Sequence, residues 1–360
     1  MDIHDYMQEQ SHRLADCNST IRDSRVFDFN YVPEQPLMRD ELKPVIDAVL
    51  RFSQTGIPNH IVITGSRGCG KTLSVRCIGN LLEERGVRFV YGNCRIHNTS
   101  YKLLSHLLNI RARGLSFSEL TEKFSGKHPG RTVVVLDEVD LLSDKDKRRE
   151  ILYFLSRAEE RYMVILLSNN PRWVAGLDES IASTLQPEHV YFRPYASDEM
   201  RRILEERART GLKKAPADVL GQVAAHTVKY TDSDVRVAIK ALYYWATGPD
   251  IPLAETFHRA RKDVVAEVVK HLSDKNLLIL RAAAATDAPV KQVYHTYRQL
   301  CREQQEEPFS YVYFSSSLSY LQSLGLILLI TTKIRRAYTR LIQLTFPVEV
   351  LEGVWRYRFG

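Results

Sequence analysis

The sequence predicts an α/β chain built on a doubly wound parallel sheet, followed by a helical segment and a C-terminal winged helix. Three observations carry this prediction. Strand-like and helix-like patterns alternate up to about residue 194, and a glycine-rich loop follows the first apolar strand. Amphipathic helical patterns alone fill the chain from there to about residue 272. Three further helical patterns and two apolar strands follow, and these are the elements of a winged helix.

The predicted strands of the sheet are short, almost continuously apolar runs, as expected for parallel strands buried on both faces. They are "HIVIT", "VRFVYGN", "TVVVLDEVD", "YMVILLSNN" and "EHVYFRP". Helical patterns separate them, namely "TLSVRCIGNLLEERG", "YKLLSHLLNI" and "KRREILYFLSRAE". The first of these helices has its apolar residues on one face and a stop signal at Gly86.

The later helices are marked by their ends as well as by their periodicity. "SDEMRRILEERARTGL" begins with Ser197 and two acidic residues, which suit the positive end of a helix, and it ends at Gly211. "ADVLGQVAAHTVKY", "SDVRVAIKALYYWATG" and "PLAETFHRARKDVVAEVVKHLS" follow. The predicted winged helix consists of "NLLILRAAAAT", "VKQVYHTYRQLCREQQ" and "SYVYFSSSLSYLQSLG", and then of the strands "LILLI" and "RLIQLTF".

The glycine-rich loop has the spacing G-x-x-x-x-G-K-T between a strand pattern and a helix pattern. Its glycines let successive backbone N–H groups turn toward an anion, so the loop is typical of nucleotide phosphate sites. We expect Lys71 to reach the β- and γ-phosphates and Thr72 to complete the shell of Mg²⁺. An ordinary glycine turn would explain neither residue. The predicted nucleotide-binding residues of the loop are Gly65, Ser66, Arg67, Gly68, Cys69, Gly70, Lys71, Thr72 and Leu73.

Two adjacent carboxylates end the strand "TVVVLDEVD", about 65 residues after the loop. Ligands of parallel sheets bind at the carboxyl ends of the strands, where these side chains lie. We expect Asp137 to hold Mg²⁺ directly or through water, and Glu138 to orient and deprotonate the attacking water. A merely polar strand end would not need two carboxylates in succession. Together with the loop, the pair predicts nucleotide hydrolysis.

Composition excludes several classes of protein. With 360 residues, 44% of them hydrophobic, the chain is long enough for two or three domains. The longest apolar stretch, at 324–330, has the length of a strand and is far from the roughly 20 residues of a membrane span. The polar N-terminus and five scattered cysteines predict a cytoplasmic protein without a signal peptide, disulfide framework or zinc site. The net charge of +7 permits a nucleic-acid partner without establishing one.

Several motifs outside the loop are specific in combination. They are "YVPEQPLMRDEL" from residue 31, "NCR" at 93–95, "DEVD" at 137–140, "SNN" after the next strand, and "SDVR" at 233–236. With the winged-helix pattern, they give the chain a resemblance to the AAA+ replication initiators of archaea, relatives of eukaryotic origin-recognition-complex subunits and the cell-division-cycle loader. The resemblance covers nearly the whole chain. It implies an AAA+ nucleotide-binding domain over 1–194, a helical lid domain over 195–272 and a winged-helix DNA-binding domain over 273–360.

The resemblance also implies roles for single residues. Val32, Pro33 and Arg39 match the segment that packs on the adenine. Asn169 matches the polar sensor that contacts the γ-phosphate or the attacking water, and Arg236 matches the lid arginine that reaches the nucleotide. A helix-capping asparagine and a surface arginine are the alternatives for these two. The predicted catalytic residues are therefore Glu138, Asn169 and Arg236, and the predicted metal ligands are Thr72 and Asp137.

One position departs from the pattern of this family. In "LDESIAS", at 177–183, Ser180 stands where the family has an arginine that reaches the nucleotide of a neighbouring subunit. Such an arginine contributes about 10³ to 10⁵ in rate where it operates. Its replacement argues against this chain activating a neighbour's ATP by that route, and nothing in the spacing demands that another arginine takes its place.

The predicted DNA contacts lie in three places. The run "TTKIRRAYTRLIQL", at 331–344, is basic and has no acidic residue, as suits a wing that lies along a duplex, although it lacks the glycines usual at a wing tip. The serines of "SSSLS" present small hydroxyls for a groove. The resemblance adds an inserted helical element between residues 98 and 124. A solvated loop and a solvated helix face are the alternatives for the first two. The predicted DNA-binding residues are Arg111, Arg113, Ser315, Ser316, Ser319, Lys333, Arg335, Arg336 and Arg340.

The sequence therefore predicts an ATP-dependent DNA replication initiator that binds double-stranded origin DNA. ATP binding and slow hydrolysis to ADP would act as a conformational switch, with ATP or ADP and Mg²⁺ as cofactors. Other initiator subunits and the replicative helicase are the implied protein partners, and no membrane is implied. Two alternatives stay open: a DNA-binding regulator that keeps ATP as a structural ligand, and a P-loop ATPase of another class whose terminal domain binds protein.

Overall fold

The structure is a computed structural model that describes residues 2–5, 7–8, 20–83, 85–143, 146, 148–158, 161–171, 173–248, 250–285, 288–334 and 337–359. The chain divides into two compact units, one formed by Val32–Pro194 and the other by Met1–Tyr31 together with Tyr195–Gly360. Residues before Val32 thus group with the chain after Pro194, while the predicted three-domain division stays a prediction. Among the described residues, no helix combines the length and the apolar character needed to cross a membrane.

The unit Val32–Pro194 contains a five-stranded parallel sheet. Its strands are β1 (Ile61–Gly65), β2 (Arg88–Asn93), β3 (Thr132–Asp137), β4 (Tyr162–Ser168) and β5 (Glu188–Phe192), in the spatial order β2-β3-β4-β1-β5. Strands β1, β3 and β4 are buried along their whole length, which explains their continuous apolar runs. The sheet confirms the predicted fold class, and its order puts the ends of β1, β3 and β4 side by side.

In the described part of this unit, six helices cover the two faces of the sheet. They are α1 (Leu42–Thr55), α2 (Lys71–Glu83), α3 (Ser100–Leu108), α4 (Phe117–Lys127), α5 (Glu150–Ser156) and α6 (Glu179–Leu185). One core lies beneath α1 and α2, and a second lies beneath α3 to α6. Helices α1 and α6 are additional to the predicted elements. Leu103, Leu104 and Phe124 are fully buried in the second core, so α3 and α4 are a packed layer of the domain rather than a separate projection.

The other unit begins with four helices after Tyr195. They are α7 (Ser197–Gly211), α8 (Ala217–Tyr230), α9 (Val235–Thr247) and α10 (Leu253–Lys270). Helix α7 has the predicted bounds, and Glu199 accepts a hydrogen bond from the backbone N–H of Ala196 at 2.9 Å. The buried Arg207 of α7 donates to the carbonyl of Asp28 at 3.2 Å, and burial lowers the pKa of this guanidinium. The bond from Arg207 ties the chain before Val32 to the helical segment.

The C-terminal part of this unit has the predicted winged-helix elements and one more helix. They are α11 (Asp274–Ala285), α12 (Val290–Glu303), α13 (Tyr311–Ser323), the antiparallel strands β6 (Ile327–Ile334) and β7 (Ala337–Leu344), and α14 (Val348–Phe359). Helix α14 is additional to the prediction. Its Val350, Leu351 and Val354 are buried in the same core as Leu318 and Leu321 of α13.

Candidate nucleotide site and nucleic-acid interface

The glycine-rich loop connects the end of β1 to the start of α2. Gly68 and Gly70 have φ values of +75° and +88°, which residues with a side chain rarely adopt. A Cβ atom at Gly65 would lie 2.5 Å from the carbonyl oxygen of Phe192, so this position also requires glycine. Among the described residues, the buried hydroxyl of Ser66 has no hydrogen-bond partner. The loop therefore combines a helix N-terminus with an unsatisfied polar group, which suits a phosphate.

Lys71 lies across the inside of this loop. Its side chain is largely buried, and Nζ donates to the carbonyls of Gly65 at 2.8 Å and Ser66 at 2.9 Å, and to Oδ1 of Asn169 at 2.9 Å. The amide of Asn169 stands just beyond the end of β4, next to β1 in the sheet. The structure thus brings together the predicted phosphate-binding lysine and the predicted sensor.

Thr72 and Asp137 meet at the predicted metal position. Oγ1 of Thr72 donates to Oδ2 of Asp137 at 2.7 Å, and the same carboxylate oxygen accepts from the hydroxyl of Tyr91 at 2.7 Å. The other oxygen, Oδ1, accepts from the N–H of Glu138 at 2.8 Å. The guanidinium of Arg76 covers the ring of Tyr91, 4.6 Å from its centroid. Tyr91 was not among the predicted site residues, because its place on the strand beside β3 depends on the strand order of the sheet.

Glu138 is held in an unusual backbone conformation at the end of β3. Its φ is +53°, a left-handed value that costs a non-glycine residue about 1 to 3 kcal/mol and is concentrated at functional sites. Its Oε2 accepts from Nδ2 of Asn93 at 3.3 Å, and its Oε1 lies 3.9 Å from Nη1 of Arg95. The "NCR" motif at the end of β2 therefore serves to hold the carboxylate predicted to act as the base.

Asp140 is a further residue of the site that the sequence pattern did not single out. Its Oδ1 accepts from Oγ of Ser168 at 2.9 Å and from the N–H of Asn169 at 3.2 Å. The last acid of "DEVD" thus fixes the end of β4. It orients the backbone that carries the sensor amide.

Arg39 contacts the outside of the loop. The side chain is almost fully buried, and its guanidinium donates to the carbonyl of Cys69 at 3.1 Å and to that of Arg193 at 2.7 Å. Its Nη2 also bonds to Oε1 of Glu41 at 3.0 Å. Arg39 thus connects the loop at Cys69 to the chain just after β5 at Arg193. Val32 is half-buried and Pro33 is buried, and the contact of these residues and Arg39 with adenine stays a prediction.

The remaining predicted nucleotide contact, Arg236, belongs to the other unit and is described within it. Its backbone N–H and its Nε donate to Oδ1 of Asp234 at 3.0 Å and 2.8 Å, and the guanidinium also pairs with the second oxygen of that carboxylate. The hydroxyl of Ser233 donates to the carbonyl of Tyr195 at 2.7 Å. "SDVR" is thus the capped start of α9, and its reach to a nucleotide stays a prediction.

Ser180 has a local structural role at the start of α6. Oδ1 of Asp178 accepts from the N–H of Ser180 at 2.9 Å and from its hydroxyl at 2.6 Å. These bonds cap the helix and lower the pKa of Asp178. The position that carries an arginine in the family's pattern is therefore an exposed residue of the first helical turn, bonded to the cap residue Asp178.

The predicted DNA-binding residues are exposed wherever the structure describes them. Arg111 and Arg113 lie in the loop between α3 and α4, and Ser315, Ser316 and Ser319 lie on the outer side of α13. Lys333 and Arg340 are exposed residues of β6 and β7 rather than of the turn between them. Arg340 faces Thr331 and Lys333 faces Tyr338 across the hairpin, so alternation puts both basic side chains on one face. Arg335 and Arg336 lie outside the described residues.

Two family models match the chain. An AAA domain matches residues 57–173, and a CDC6 C-terminal winged helix domain matches residues 267–352. Together the two matches assign to the chain an AAA domain followed by a C-terminal winged helix domain of the CDC6 type. It is 27% identical over 357 residues to an ORC1-type DNA replication protein of Picrophilus torridus, covering 89% of this chain and 86% of the relative. With ORC1-type DNA replication protein 3 of Sulfurisphaera tokodaii it shares 29% identity over 334 residues, or 85% of this chain and 86% of the relative.

Solved structures of this type have the same fold. The ORC1 protein of Aeropyrum pernix in complex with DNA superposes with a TM-score of 0.73 at 24% identity, over 94% of this chain and 97% of that chain. Cdc6p of Pyrobaculum aerophilum gives a TM-score of 0.59 at 22% identity, over 95% of this chain and 100% of that one. The AAA fold implies that the chain binds nucleotide, and binding at the loop before α2 stays a prediction.

Proposed function

We propose that this chain is an ATP-dependent initiator of DNA replication that binds duplex DNA at origins. ATP binding and slow hydrolysis act as its conformational switch. The proposal rests on one observation, which is that a single chain contains both the residues expected for ATP hydrolysis and a winged helix with a basic hairpin. The former are Lys71, Asp137, Glu138 and Asn169. Its relatives are named ORC1-type DNA replication proteins, and an ORC1 protein of the same fold has been solved in complex with DNA.

The nucleotide site suits ATP with Mg²⁺. Thr72 and Asp137 offer hard oxygen ligands 2.7 Å apart beside the phosphate loop, and Mg²⁺ is commonly held by one or two such groups together with nucleotide phosphates. Among the described residues, no group of three or more histidine, cysteine or acidic side chains could hold a metal ion. The ion would neutralise charge on the phosphates. Thr72 and Asp137 would hold it.

The chain's own residues account for slow hydrolysis. Glu138 accepts the proton of the attacking water, Asn169 orients that water, and Lys71 neutralises charge on the transferred phosphoryl group. One feature keeps the rate low, because Asn93 and Arg95 hold the carboxylate of Glu138 through its two oxygens. Ser180 replaces the arginine that would act on a neighbour's nucleotide, so the chain does not activate a neighbouring subunit by that route. A slow rate suits a switch, because the ATP-bound state must persist while DNA is bound.

Duplex binding rests on the winged helix. Lys333 and Arg340 are exposed on one face of the hairpin, where each phosphate that they neutralise releases counterions. Helix α13 precedes the hairpin and exposes its serines for a groove. Arg111 and Arg113 supply a second contact from the loop between α3 and α4. Other initiator subunits and the replicative helicase are the protein partners that this role implies, and the role itself implies a location at the nucleoid in the cytoplasm.

The experiment that tests the proposal measures ATP binding and duplex binding on the same purified protein, the latter at graded salt. We expect tight duplex binding that weakens linearly in log affinity against log salt, and loss of ATP binding in Lys71→Ala with retention in Lys43→Ala, an exposed control. Duplex binding without measurable ATP turnover would favour a regulator that keeps ATP structurally. ATP turnover without duplex binding would favour an ATPase of another class.

A further inference from the structure

The outward side of α13 is uncharged along its whole length. The segment Tyr311–Ser323 reads "YVYFSSSLSYLQS" and contains no lysine, arginine, aspartate or glutamate. Its first turn exposes large side chains, since Tyr311 is 43%, Val312 is 77% and Tyr313 is 57% exposed. Phe314, Leu318 and Leu321 enter the core. Three adjacent exposed side chains of this size form an apolar patch, and burying such a patch against a partner is favourable.

The exposed residues form a stripe that fits a groove. Val312, Ser316 and Ser319 are spaced i, i+4 and i+7, so they lie on one face of the helix, and all three are exposed. The serines are small enough to let the helix axis approach closely. In helix-turn-helix folds, the residues at the N-terminal end of the second helix contact the base edges, and Val312 is in that first turn.

The chemistry of this stripe restricts which bases it can recognise. Guanine is recognised by arginine or lysine at O6 and N7, cytosine by a carboxylate at N4, adenine by asparagine or glutamine, and the thymine methyl by an apolar side chain. Of these groups, α13 offers an exposed valine at its start and Gln322 near its end. It therefore has partners for the A·T pair and none for a bidentate bond to guanine. Charge for the phosphates comes from Lys333 and Arg340.

We propose that α13 recognises A·T pairs through the C5 methyl of thymine, which Val312 contacts in the major groove. The inference rests on the proposed duplex binding and adds the base class. Glu306 and Glu307, in the turn before α13, accept hydrogen bonds only, repel phosphates and lack a donor for guanine. Recognition of cytosine through this acidic turn is the competing outcome that the experiment must separate.

The test compares three duplexes, two of which differ only in one methyl group per base pair. Full-length protein is titrated with a short duplex of alternating adenine and thymine, with the same duplex carrying deoxyuridine for thymidine, and with an alternating guanine and cytosine duplex of equal length. We expect the deoxyuridine duplex to bind roughly fourfold more weakly for each thymine methyl group that Val312 would otherwise cover, the effect of one methylene-sized apolar group. Equal affinity for the thymidine and deoxyuridine duplexes would overturn the proposal.

Variants assign the effect to Val312. Val312→Ala should lose affinity for the thymidine duplex and bind the deoxyuridine duplex as the wild type does, so that discrimination disappears. Val348→Ala is the matched control, because this valine of α14 is 38% exposed in the same domain. A preference for the guanine and cytosine duplex that Glu307→Gln removes would assign recognition to the acidic turn instead. Absence of binding to every duplex would reject the proposed function, which is a different result.

Discussion

Glu138 combines a strained backbone with a carboxylate held at both oxygens. We therefore expect a change of its side chain to affect ATP hydrolysis without affecting ATP binding. Glu138→Gln keeps the volume and the bond to Asn93 but cannot accept a proton. We expect ATP affinity to stay unchanged and turnover to fall about 10²- to 10⁴-fold, the usual contribution of a general base. Equilibrium ATP binding and phosphate release measure the two quantities. Glu150→Gln, at the exposed start of α5, is the control, and unchanged turnover in the Glu138 variant would remove this residue as the base.

Loss of the Tyr91 hydroxyl is expected to weaken the binding of Mg²⁺ rather than the binding of the nucleotide itself. Burial and the neighbouring Asp137 raise the pKa of Tyr91, so its hydroxyl stays protonated and donates to Oδ2 of Asp137. Tyr91→Phe removes this donor and leaves the ring beneath Arg76. Loss of such a supporting bond typically weakens metal binding 10- to 100-fold, so we expect the Mg²⁺ concentration needed for half-maximal ATP binding to rise about 10-fold.

The measurement is a fluorescent-nucleotide titration at varied Mg²⁺, with a parallel titration in a chelator. Metal-free nucleotide should bind Tyr91→Phe and the wild type equally, which a general loss of structure would not allow. Tyr191→Phe, on β5 and 59% exposed, is the matched control. An unchanged Mg²⁺ requirement in the Tyr91 variant would show that Thr72 and the backbone of Glu138 orient Asp137 without help.

At the scale of elements, His60 ties three strands together at the start of β1. Its Nδ1 accepts from the N–H of Val164 in β4 at 3.1 Å, and its carbonyl accepts from Glu188 in β5 at 2.8 Å. Burial lowers the pKa of His60 from 6.5 to about 4. Below pH 6.5 the unfolded chain binds a proton that the folded chain rejects, so stability is complete above pH 6.5 and falls as the pH drops toward 4. The loss amounts to about 3 kcal/mol.

His60→Gln keeps an acceptor for Val164 but does not titrate. We expect denaturant unfolding of this variant to be less sensitive to acid than that of the wild type between pH 6.5 and 4.5, by most of that amount. His271→Gln, an exposed histidine at the end of α10, should leave the wild-type pH dependence in place. If the unfolding free energies of the His60 variant and the wild type changed equally with pH, the imidazole of His60 would not be neutral and buried.

Sequence patterns predict best the elements in which consecutive residues are all buried. Strands β1, β3 and β4 are buried on both faces, so an unbroken apolar run marks each of them. Helix α6 has few apolar residues in its sequence "ESIASTL", too few for a period of 3.6 to show, and α14 contains Gly353, which weakens a helical pattern. The pattern of α3 predicted a helix but not its place, because the packing of Leu103 beneath the sheet depends on strands distant in sequence.

At the scale of the whole molecule, motif spacing and, for Asn169, the family resemblance predicted which side chains meet at the candidate nucleotide site, but not how they are supported. Lys71, Asn169, Thr72 and Asp137 come together because parallel strands end at one edge of the sheet. The bonds from Tyr91 and Asn93 depend on the strand order, which places β2 beside β3. A linear pattern carries no strand order, so these supporting residues could be found only after the sheet was known.

Variants of the hairpin test whether duplex binding and ATP binding reside in separate parts of the molecule. Changing Lys333 and Arg340 together to alanine removes two positive charges from one face of β6 and β7. If both contact phosphates, affinity should fall by a similar factor on every duplex sequence. The slope of log affinity against log salt should fall by about 2, near 0.9 for each phosphate that is no longer neutralised. ATP affinity should not change, because Lys71 and its partners belong to the other unit of the chain.

Alanine at Lys213 and Lys214, exposed in the loop after α7, removes equal charge elsewhere and should leave the slope unchanged. An equal fall in slope in this control would mean that net charge, not the hairpin face, sets duplex affinity.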